Sequence, residues 1–408
     1  LKRTLTLGKN IVICCDGTGN EVNAELSNVL KLYRVMSINN AQVVYYNPGI
    51  GTIGLHNSWQ RFRQKVRGLF ELATGFGLDN DILNAYRYLC ENHIKGDKIW
   101  LFGFSRGAYT VRVLAAFVNI IGLLSKDQLN LAEYALAAYK RASSYVVTEA
   151  QYAENSSEPK QSSSALADAW HLARVTRTRK VQIEFIGVWD TVSSVFAPKK
   201  YGLIPSIESL LYTQKNPIVK CFRQAIAIDE RRRMFRLHHW NDPQPFREKS
   251  FNSESDVAQN IKQVWFAGVH ADIGGGYPEA ESGLSKFPLA WMIQEARDCG
   301  LLVHQANINR LVFGKPRKGS KYFYVEPNAT AKMHDSLTSF WKPLEWIPKK
   351  LTAKEWGNRR SWLGFYLPRG EPRLIPEGAL IHSSVRLRMG QSGYKPINLP
   401  LKYEYIDD

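Results

Sequence analysis

Residues 98–118 read KIWLFGFSRGAYTVRVLAAFV and hold an apolar strand-like run, a serine between two glycines and an apolar helix-like run in immediate succession. The run after Lys98 is apolar and aromatic, which is typical of a buried β-strand. The residues after Gly107 are apolar at a spacing typical of a helix. Gly103 and Gly107 flank Ser105 in the pattern Gly-x-Ser-x-Gly. The sequence therefore predicts a strand that turns sharply into a helix at Ser105.

A strand-to-helix turn at this pattern is the context of a nucleophile elbow. Small residues at Gly103 and Gly107 relieve crowding around the turn, and the Ser105 hydroxyl is then exposed at the N-terminal end of the helix. The positive end of the helix dipole favours an anion that develops there. The structural alternative is a tight glycine turn whose serine only caps the helix. The flanking strand and helix favour Ser105 as a nucleophile.

Further strand-like runs, each followed by Gly, Asn or Asp and then by a helix-like stretch, predict a mostly parallel sheet with crossover helices. Strands this apolar are expected to be covered on both faces. The predicted fold class is therefore α/β, of the α/β-hydrolase type, with helices on both faces of the sheet. The strands are predicted at residues 10–15, 42–46, 98–102, 182–189 and 263–268, and a helix is predicted at 79–93.

Changes in composition predict two parts along the chain. Residues 1–310 are expected to form the α/β-hydrolase core, with an insertion or lid at 126–175 that begins as a helix and ends in a polar loop. Residues 311–408 are rich in Lys, Arg, Trp and Pro and are expected to form a basic, aromatic-rich C-terminal lobe packed on the core. The sequence has no internal repeat, which disfavours solenoids and propellers.

An activated serine needs a base, and the base needs an orienting acid; in this fold their order along the chain is Ser, then Asp or Glu, then His. Asp190 ends the apolar run VQIEFIGVWD, where a carboxylate at the carboxyl end of a strand would face the site. His270 follows another apolar run and precedes a glycine-rich turn. These residues are the predicted acid and base. The alternative acids are Asp229 and Asp272, and the alternative bases are His334 and His382.

Two backbone N–H groups are expected to bind the oxyanion, one from the residue after the nucleophile and one from the loop after an early strand. Arg106 would supply the first. The early strand IVICC runs into the loop DGTGN, and Gly17 or Thr18 is the predicted second donor. Asp16 is expected to close a turn beside the pocket. This loop lacks the glycine spacing and the lysine of nucleotide-binding loops, so no nucleotide is predicted there.

No metal or other cofactor is predicted. Asp16, Asp190 and Asp272 could together ligate a cation, but carboxylates from separate loops are weak evidence for a metal. The five cysteines form no C-x-x-C pair, so neither a zinc site nor a disulfide framework is indicated.

The formal net charge of +17 and a pI near 9.5 predict attraction to an anionic partner. Basic residues are spread along the chain and accompany no nucleic-acid-binding motif, so no specific nucleic acid is predicted. Docking on an anionic membrane surface fits four tryptophans of the C-terminal lobe and their basic neighbours. Core packing is the alternative for these tryptophans, and the oligomeric state is left open. They are Trp341, Trp346, Trp356 and Trp362.

The longest apolar run falls short of the roughly 20 residues that a membrane-spanning helix needs, so no transmembrane helix is predicted. The start, LKRTLTLGKN, has no extended apolar stretch and does not resemble a signal peptide. We therefore expect a soluble protein that is cytoplasmic in the producing cell, with export or peripheral membrane attachment as alternatives.

Six segments occur in one order between about Ile11 and Tyr277: VICCDGTGN, YYNPGIGT, GDKIWLFGFSRGAY, FIGVWDTV, AIDERRRMF and VWFAGVHADIGGGY. In these segments the chain resembles a family of α/β-hydrolase-like proteins that includes the phospholipase effectors of the first type VI secretion lipase group. The resemblance implies a Ser-Asp-His hydrolase with Ser105, Asp190 and His270 as its triad. In the best-known members it implies a phospholipase A that acts on bilayer lipids.

These observations together predict a serine hydrolase that cleaves carboxylic esters, with a phospholipase A or lipase acting on membrane lipid as the favoured form. One alternative is an esterase or thioesterase with a soluble substrate. Another is a non-catalytic module that keeps the hydrolase fold and binds anionic partners, because a fold alone does not establish an activity.

Overall fold

The structure, a computed structural model, describes residues 8–17, 26–49, 77–153, 163–192, 196–197, 206–207, 210–247, 256–320, 322–339, 341–351, 354–357 and 360–407. Its main sheet has eight strands, and each neighbouring pair is parallel. Their order across the sheet is β8-β7-β6-β5-β4-β3-β1-β2 when they are numbered along the chain. The prediction of an α/β fold with a mostly parallel sheet is confirmed. The strands are β1 Asn10–Cys15, β2 Gln42–Asn47, β3 Lys98–Phe104, β4 Ile183–Trp189, β5 Val219–Ala227, β6 Asn260–Phe266, β7 Ala379–His382 and β8 Tyr403–Ile406.

Successive residues of the strands enter two separate cores, one on each face of the sheet. Ile11 and Ile13 of β1 lie in the first core with Leu101 of β3. Val12 of β1 lies in the second core with Trp100 of β3. Side chains alternate between the two faces along a strand, and both faces here are apolar. This double burial explains why the strands form continuous apolar runs in the sequence.

Helices cover both cores. The first core is lined by α2 Leu78–Asn92, α3 Arg106–Ile120, α4 Ala132–Ala153 and α5 Ser163–Val175. The second core is lined by α1 Asn28–Val35, α7 Lys286–Asp298 and α8 Gln305–Leu311. Two further helices are α6 His270–Gly274 and α9 Ser383–Ser392. α3 is buried on almost every side, which fits its apolar sequence and its place directly after β3.

Short elements connect these larger ones. There are 3₁₀ helices at Lys126–Leu131, Glu279–Glu281 and Lys342–Trp346. Antiparallel pairs join Phe196–Ala197 to Ser206–Ile207 and Pro245–Arg247 to Asp256–Ala258. A small three-stranded sheet joins Lys349–Lys350, Phe365–Tyr366 and Ser361–Trp362. Among the helices of the described ranges, none has both the length and the apolarity that crossing a bilayer requires.

The predicted insertion at 126–175 is largely helical where the structure describes it. In α4, Ala135, Ala138 and Tyr139 are buried in the first core. The Tyr139 hydroxyl donates a hydrogen bond to the Leu211 carbonyl at 2.9 Å. This part of the insertion therefore belongs to the packed core. The polar stretch at 154–162 lies outside the described residues, and a role as a lid stays a prediction.

Three strands of the sheet were not predicted. β5 contains Arg223 and Gln224, whose polar side chains interrupt the apolar pattern although both are buried. Arg223 Nε donates to Glu295 Oε2 at 2.6 Å, and Gln224 Oε1 accepts from Arg112 Nη2 at 2.7 Å, so these polar groups are satisfied inside the protein. β7 and β8 have only four residues each and come from the predicted C-terminal lobe. Part of that lobe thus extends the sheet of the core, while the division at residue 310 stays a prediction.

Candidate active site

Ser105 lies at the turn between β3 and α3 in a backbone conformation that is rare for a residue other than glycine. Its φ is 56° and its ψ is −121°. Residues persist in such conformations only where the surrounding structure fixes them. The Ser105 N–H donates to the Trp189 carbonyl at 3.2 Å, which ties the turn to the end of β4. Ser105 is therefore presented at the N-terminal end of α3.

Both glycines that flank Ser105 are required by close approaches of the backbone. A Cβ atom on Gly103 would lie 2.5 Å from the Gly107 carbonyl oxygen, and one on Gly107 would lie 2.1 Å from the Cys15 carbonyl oxygen. Real Cβ atoms essentially never approach another atom within 3.0 Å. The second approach brings the end of β1, and with it Asp16, against the start of α3. The glycines therefore allow the turn and the loop after β1 to share one edge of the sheet.

Asp190 and His270 form a buried pair at the same edge of the sheet. Asp190 directly follows β4 with a φ of 40°, and His270 is the first residue of α6, shortly after β6. The distance between His270 Nδ1 and Asp190 Oδ2 is 2.5 Å. Asp190 is 0% exposed and His270 is 5% exposed. Because parallel strands end at one edge, β3, β4 and β6 bring Ser105, Asp190 and His270 to the same region.

The electrostatics of this pair favour an ionised carboxylate and a neutral imidazole. Burial alone would raise the pKa of Asp190, but the charge of Arg373 and hydrogen bonds from His270 and Arg373 hold it well below its usual range. Burial lowers the pKa of His270 from its usual 6.5, against the opposing effect of Asp190. Nε2 of His270 is buried and has no hydrogen-bond partner among the described residues. This nitrogen is the atom that can accept a proton.

Sequence reasoning missed Arg373, which pairs with Asp190. Arg373 Nη1 donates to Asp190 Oδ1 at 2.5 Å, and Nη2 donates to Asp190 Oδ2 at 3.0 Å. The guanidinium also donates to the carbonyls of Ala227 at 3.1 Å and Phe235 at 2.6 Å, and Arg373 is 1% exposed. It occurs in the irregular segment RGEPRLIPEG, residues 369–378, where no motif or periodicity marks it.

Glu230 and two aromatic rings hold His270 in place. Glu230 Oε2 accepts a hydrogen bond from the His270 backbone N–H at 3.2 Å, and its carboxylate also pairs with Arg232. The imidazole lies against Phe104, with ring centroids 4.7 Å apart, and meets the edge of Phe235 at 4.8 Å. Apolar contact of this kind removes water from the ring, which accounts for the lowered pKa of His270.

The alternative acids lie in other hydrogen-bond networks. Asp229 Oδ2 accepts from the Gly268 N–H and from the Tyr394 hydroxyl, each at 2.7 Å. Asp272 Oδ1 lies 2.7 Å from Nδ1 of His334. The carboxylate that is hydrogen-bonded to the His270 ring is therefore that of Asp190 and not that of Asp229 or Asp272.

The alternative bases also have partners of their own. The two ring nitrogens of His334 are taken by Asp272 and by Glu281, the second at 2.9 Å, and its ring stacks on Tyr277 with centroids 3.5 Å apart. His382 caps α9, with its Nδ1 2.8 Å from Ser384 Oγ. Both histidines are thus held by networks separate from the Asp190 carboxylate.

The loop after β1 is organised by Asp16. Asp16 is buried, its Oδ1 accepts from the Gly17 N–H at 2.7 Å, and its Oδ2 accepts from the hydroxyls of Ser27 and of Tyr46, the latter at 2.8 Å. The Gly17 N–H is therefore engaged by the neighbouring carboxylate in this structure. Thr18, the other predicted oxyanion donor, lies outside the described residues.

Arg106 is the first residue of α3, and the N–H groups of a first helical turn point out of the helix N-terminus. Its side chain is buried, with Nη2 3.9 Å from Asp81 Oδ2. Asp81 also accepts from Asn47 Nδ2 at 2.9 Å, and burial raises its pKa. These contacts fix the first turn of α3 against β2 and α2.

In the part of the chain that the structure describes, no three or more His, Cys, Asp or Glu side chains are arranged to hold a metal ion. The three aspartates considered for a cation are each paired elsewhere. Asp16 accepts from Tyr46, Asp190 pairs with His270, and Asp272 pairs with His334.

Comparison with known proteins gives one matching family model and one curated relative. The family model described as T6SS phospholipase effector Tle1-like, catalytic domain, matches residues 9–295. A curated relative, the uncharacterized protein YEL023C of Saccharomyces cerevisiae, is 33% identical over 254 residues, which cover 60% of this chain and 34% of that protein. The chain therefore spans about a third of the length of this relative.

Two solved structures resemble the chain at low sequence identity. An uncharacterized protein from Pseudomonas aeruginosa is 17% identical, with 73% of this chain and 47% of that chain covered and a TM-score of 0.36. The Tle1 effector bound to the VgrG spike from the type 6 secretion system is 20% identical, with 68% and 53% covered and a TM-score of 0.31. Because the family match covers well over half of its residues, the chain belongs to the Tle1-like family of type VI secretion phospholipase effectors, through the catalytic domain of that family.

Proposed function

We propose that the protein is a serine hydrolase that cleaves carboxylic esters, with Ser105 as nucleophile, His270 as base and Asp190 as orienting acid. The observation that carries this proposal is the strained backbone of Ser105 at the same sheet edge as the buried Asp190–His270 pair. Nε2 of His270 has no hydrogen-bond partner among the described residues. Backbone strain and buried charge both cost free energy, and a turn with only a structural role needs neither.

The reaction begins when Ser105 Oγ attacks the ester carbonyl carbon and its proton passes to His270 Nε2. Asp190 accepts the Nδ1–H of His270 and stabilises the imidazolium that forms. His270 then gives the proton to the leaving alcohol, and the acyl group stays on Ser105. A water molecule then attacks this acyl ester and loses a proton to His270. The carboxylic acid leaves as His270 returns that proton to Ser105 Oγ, which restores the serine and the neutral base.

The carbonyl oxygen carries the negative charge of each tetrahedral intermediate, and two N–H donors are needed to stabilise it. We assign one to the Arg106 backbone at the start of α3. Thr18 is preferred to Gly17 as the second, because the Gly17 N–H donates to Asp16. No cofactor enters this mechanism.

Membrane lipid is the substrate class that we propose, with a phospholipase A as the favoured activity. Support comes from the family, which is one of phospholipase effectors, and from an exposed surface on the small three-stranded sheet and its flanks. In this aromatic basic surface Trp346 is 59% exposed, Trp362 78% and Leu363 74%, and the cations Lys350 and Arg360 are exposed beside them. Tryptophan favours the headgroup level of a bilayer, and Lys or Arg favours lipid phosphate.

Packed rings lie between His270 and the segment that leads into the aromatic basic surface. Trp341, directly before the 3₁₀ helix Lys342–Trp346, meets the edge of Phe235 at 5.4 Å, and Phe235 meets His270 at 4.8 Å. Arg369 lies over the Trp346 ring at 4.4 Å. The segment that carries the proposed membrane surface therefore also packs beside the surroundings of the proposed base. This proximity supports a substrate taken from a bilayer.

The test of the hydrolase is labelling by a fluorophosphonate, which reacts with an activated serine. We expect the native chain to be labelled and Ser105→Ala to lose all labelling. His270→Ala is expected to react at least about 10³-fold more slowly than the native chain. Ser143→Ala is the matched control, because Ser143 is also buried but donates to the Tyr139 carbonyl within α4. A folded native chain that takes no label would contradict the proposal and favour a binding module.

The test of the membrane surface is binding to vesicles of phosphatidylglycerol. We expect Leu363→Glu to weaken binding about tenfold or more, because it removes an apolar contact and adds a carboxylate that lipid phosphate repels. Leu401→Glu is the control, since Leu401 is a leucine that is 96% exposed outside this surface. Hydrolysis of a soluble short-chain ester should stay at the native rate in both variants. Equal binding losses in the two variants would speak against the surface.

A further inference from the structure

We propose that Arg373 is a positioning residue, which fixes the Asp190 carboxylate so that His270 keeps its proton on Nδ1 and presents Nε2 as the acceptor. This inference rests on the proposed hydrolase function. It adds to the site a residue that lies beyond the range 9–295 that matches the family. Arg373 acts on the reaction through its bonds to Asp190.

Four hydrogen bonds hold the Asp190 carboxylate in one orientation. Oδ1 accepts from Arg373 Nη1 at 2.5 Å and from the Ala227 N–H at 3.0 Å. Oδ2 accepts from Arg373 Nη2 at 3.0 Å and lies 2.5 Å from His270 Nδ1. The carboxylate cannot rotate without breaking several of these bonds, two of which come from a rigid planar guanidinium. Its oxygen therefore stays aimed at Nδ1, which sets the tautomer of His270.

The charges around the pair are balanced. Asp190 and Glu230 are negative, while Arg373 and Arg232 are positive. Burial would raise the pKa of Glu230, but Arg232 lowers it to about 2, and Asp190 raises the pKa of Arg373 despite its burial. With a neutral His270 these groups therefore carry no net charge. Without Arg373 the remaining groups would carry one net negative charge. The Asp190–His270 pair would then keep an added proton to a higher pH than in the native chain.

A proton retained by the pair stops catalysis, wherever it sits. On His270 it occupies Nε2, and on Asp190 it reverses the hydrogen bond to Nδ1, so that Nε2 becomes the protonated nitrogen. In both cases the ring has no acceptor for the Ser105 proton. The charge of Arg373 therefore sets the pH above which His270 can accept a proton. The positions of its two hydrogen bonds to Asp190 set which ring nitrogen of His270 accepts it.

The main chain around Arg373 is anchored by other residues, so its side chain can be replaced. Asn398 Nδ2 donates to the Arg373 carbonyl at 3.0 Å, and Arg236 Nη2 donates to the Glu371 carbonyl at 3.1 Å. Arg236 is itself a buried arginine whose bonds go to Glu355, Glu371 and Pro372. It provides a matched control, because it stabilises the same segment by bonds to groups other than Asp190.

The experiment compares Arg373→Met, Arg373→Lys and Arg236→Met by their pH profiles of kcat/KM. In Arg373→Met we expect the acid limb to move up by about one pH unit or more, with kcat lowered at neutral pH and KM unchanged. In Arg373→Lys the retained charge keeps the acid limb near the native one, while kcat falls because the bidentate geometry is lost. Arg236→Met should leave the acid limb where it is in the native chain.

A second readout needs no turnover: the ¹⁵N chemical shifts of His270, measured in a Ser105→Ala background, report which ring nitrogen is protonated. With Arg373 present, we expect Nε2 to be unprotonated at neutral pH. In Arg373→Met we expect Nε2 to lose its proton only at a higher pH. The inference is overturned if folded Arg373→Met keeps the native tautomer and acid limb, or if Arg236→Met shifts both equally. If Arg373→Met does not fold, Arg373→Lys becomes the test. A kcat equal to the native value in Arg373→Lys would then overturn the inference. Failure of the hydrolase function looks different, because the native chain would then show no turnover while the tautomer could still be measured.

Discussion

Asp190→Asn is expected to lower kcat on an ester by about 10⁴-fold and the free energy of unfolding by about 3–5 kcal/mol. The kinetic loss arises because an asparagine amide donates to Nδ1, so His270 carries its proton on Nε2 and has no acceptor for the Ser105 proton. The loss of stability arises because Arg373, 1% exposed, keeps its charge without a counter-charge. Initial rates and urea unfolding of the same preparation measure the two effects.

Asp229→Asn is the matched control for this variant. Asp229 is a half-buried aspartate near the site that accepts from the Gly268 N–H and the Tyr394 hydroxyl. Burial raises its pKa to about 6, so a neutral side chain at this position costs little near neutral pH. We expect kcat close to native. Native turnover in Asp190→Asn would remove Asp190 from the mechanism.

Gly107→Ala is expected to lower the free energy of unfolding by about 3 kcal/mol or more, because it forces apart two parts of the backbone. The added Cβ would lie 2.1 Å from the Cys15 carbonyl oxygen and 2.6 Å from that of Asp16. Neither atom belongs to a flexible side chain, so α3 or the end of β1 has to move and Ser105 moves with it. A displacement of about 1 Å at a reacting group costs about 100-fold in rate, which the rate of fluorophosphonate labelling measures.

Gly390→Ala is the comparison for Gly107→Ala. Gly390 lies in α9, and a Cβ there would meet no atom within 4 Å. Alanine in a helix is favoured over glycine by about 0.5–1 kcal/mol, so this variant should be slightly more stable than the native chain. If Gly107→Ala unfolded at the same urea concentration as the native chain, the close approach of α3 to β1 would be wrong.

The three residues of the proposed triad could be predicted because each follows an apolar strand. Ser105, Asp190 and His270 come after β3, β4 and β6, and parallel strands deliver such residues to one edge of a sheet. Arg373 could not be predicted, because its contact with Asp190 spans 183 residues of chain and it stands in an irregular segment. In a sequence, an arginine that neutralises a buried carboxylate looks the same as one on the surface.

The strands of the sheet also differ in whether they could be predicted from the sequence. β1 was predicted with the bounds that the structure has, because its residues are apolar on both faces. β5 was missed because burial of Arg223 and Gln224 depends on partners in distant helices, Glu295 and Arg112. β7 and β8 were missed because four residues are too few to show a periodicity.

Arg373, β7 and β8 are all made late, because a ribosome extends the chain from its N-terminus at about 5–20 residues per second. When the residues that match the family have emerged, up to 295, the guanidinium that balances Asp190 does not yet exist, and β6 lacks its neighbour β7. On the proposed function, we therefore expect the nascent chain to be inactive until Arg373 and the two strands after it have joined the fold. If the protein acts on membrane lipid as proposed, a cell that makes it would then not expose its own membrane to a half-made enzyme during translation.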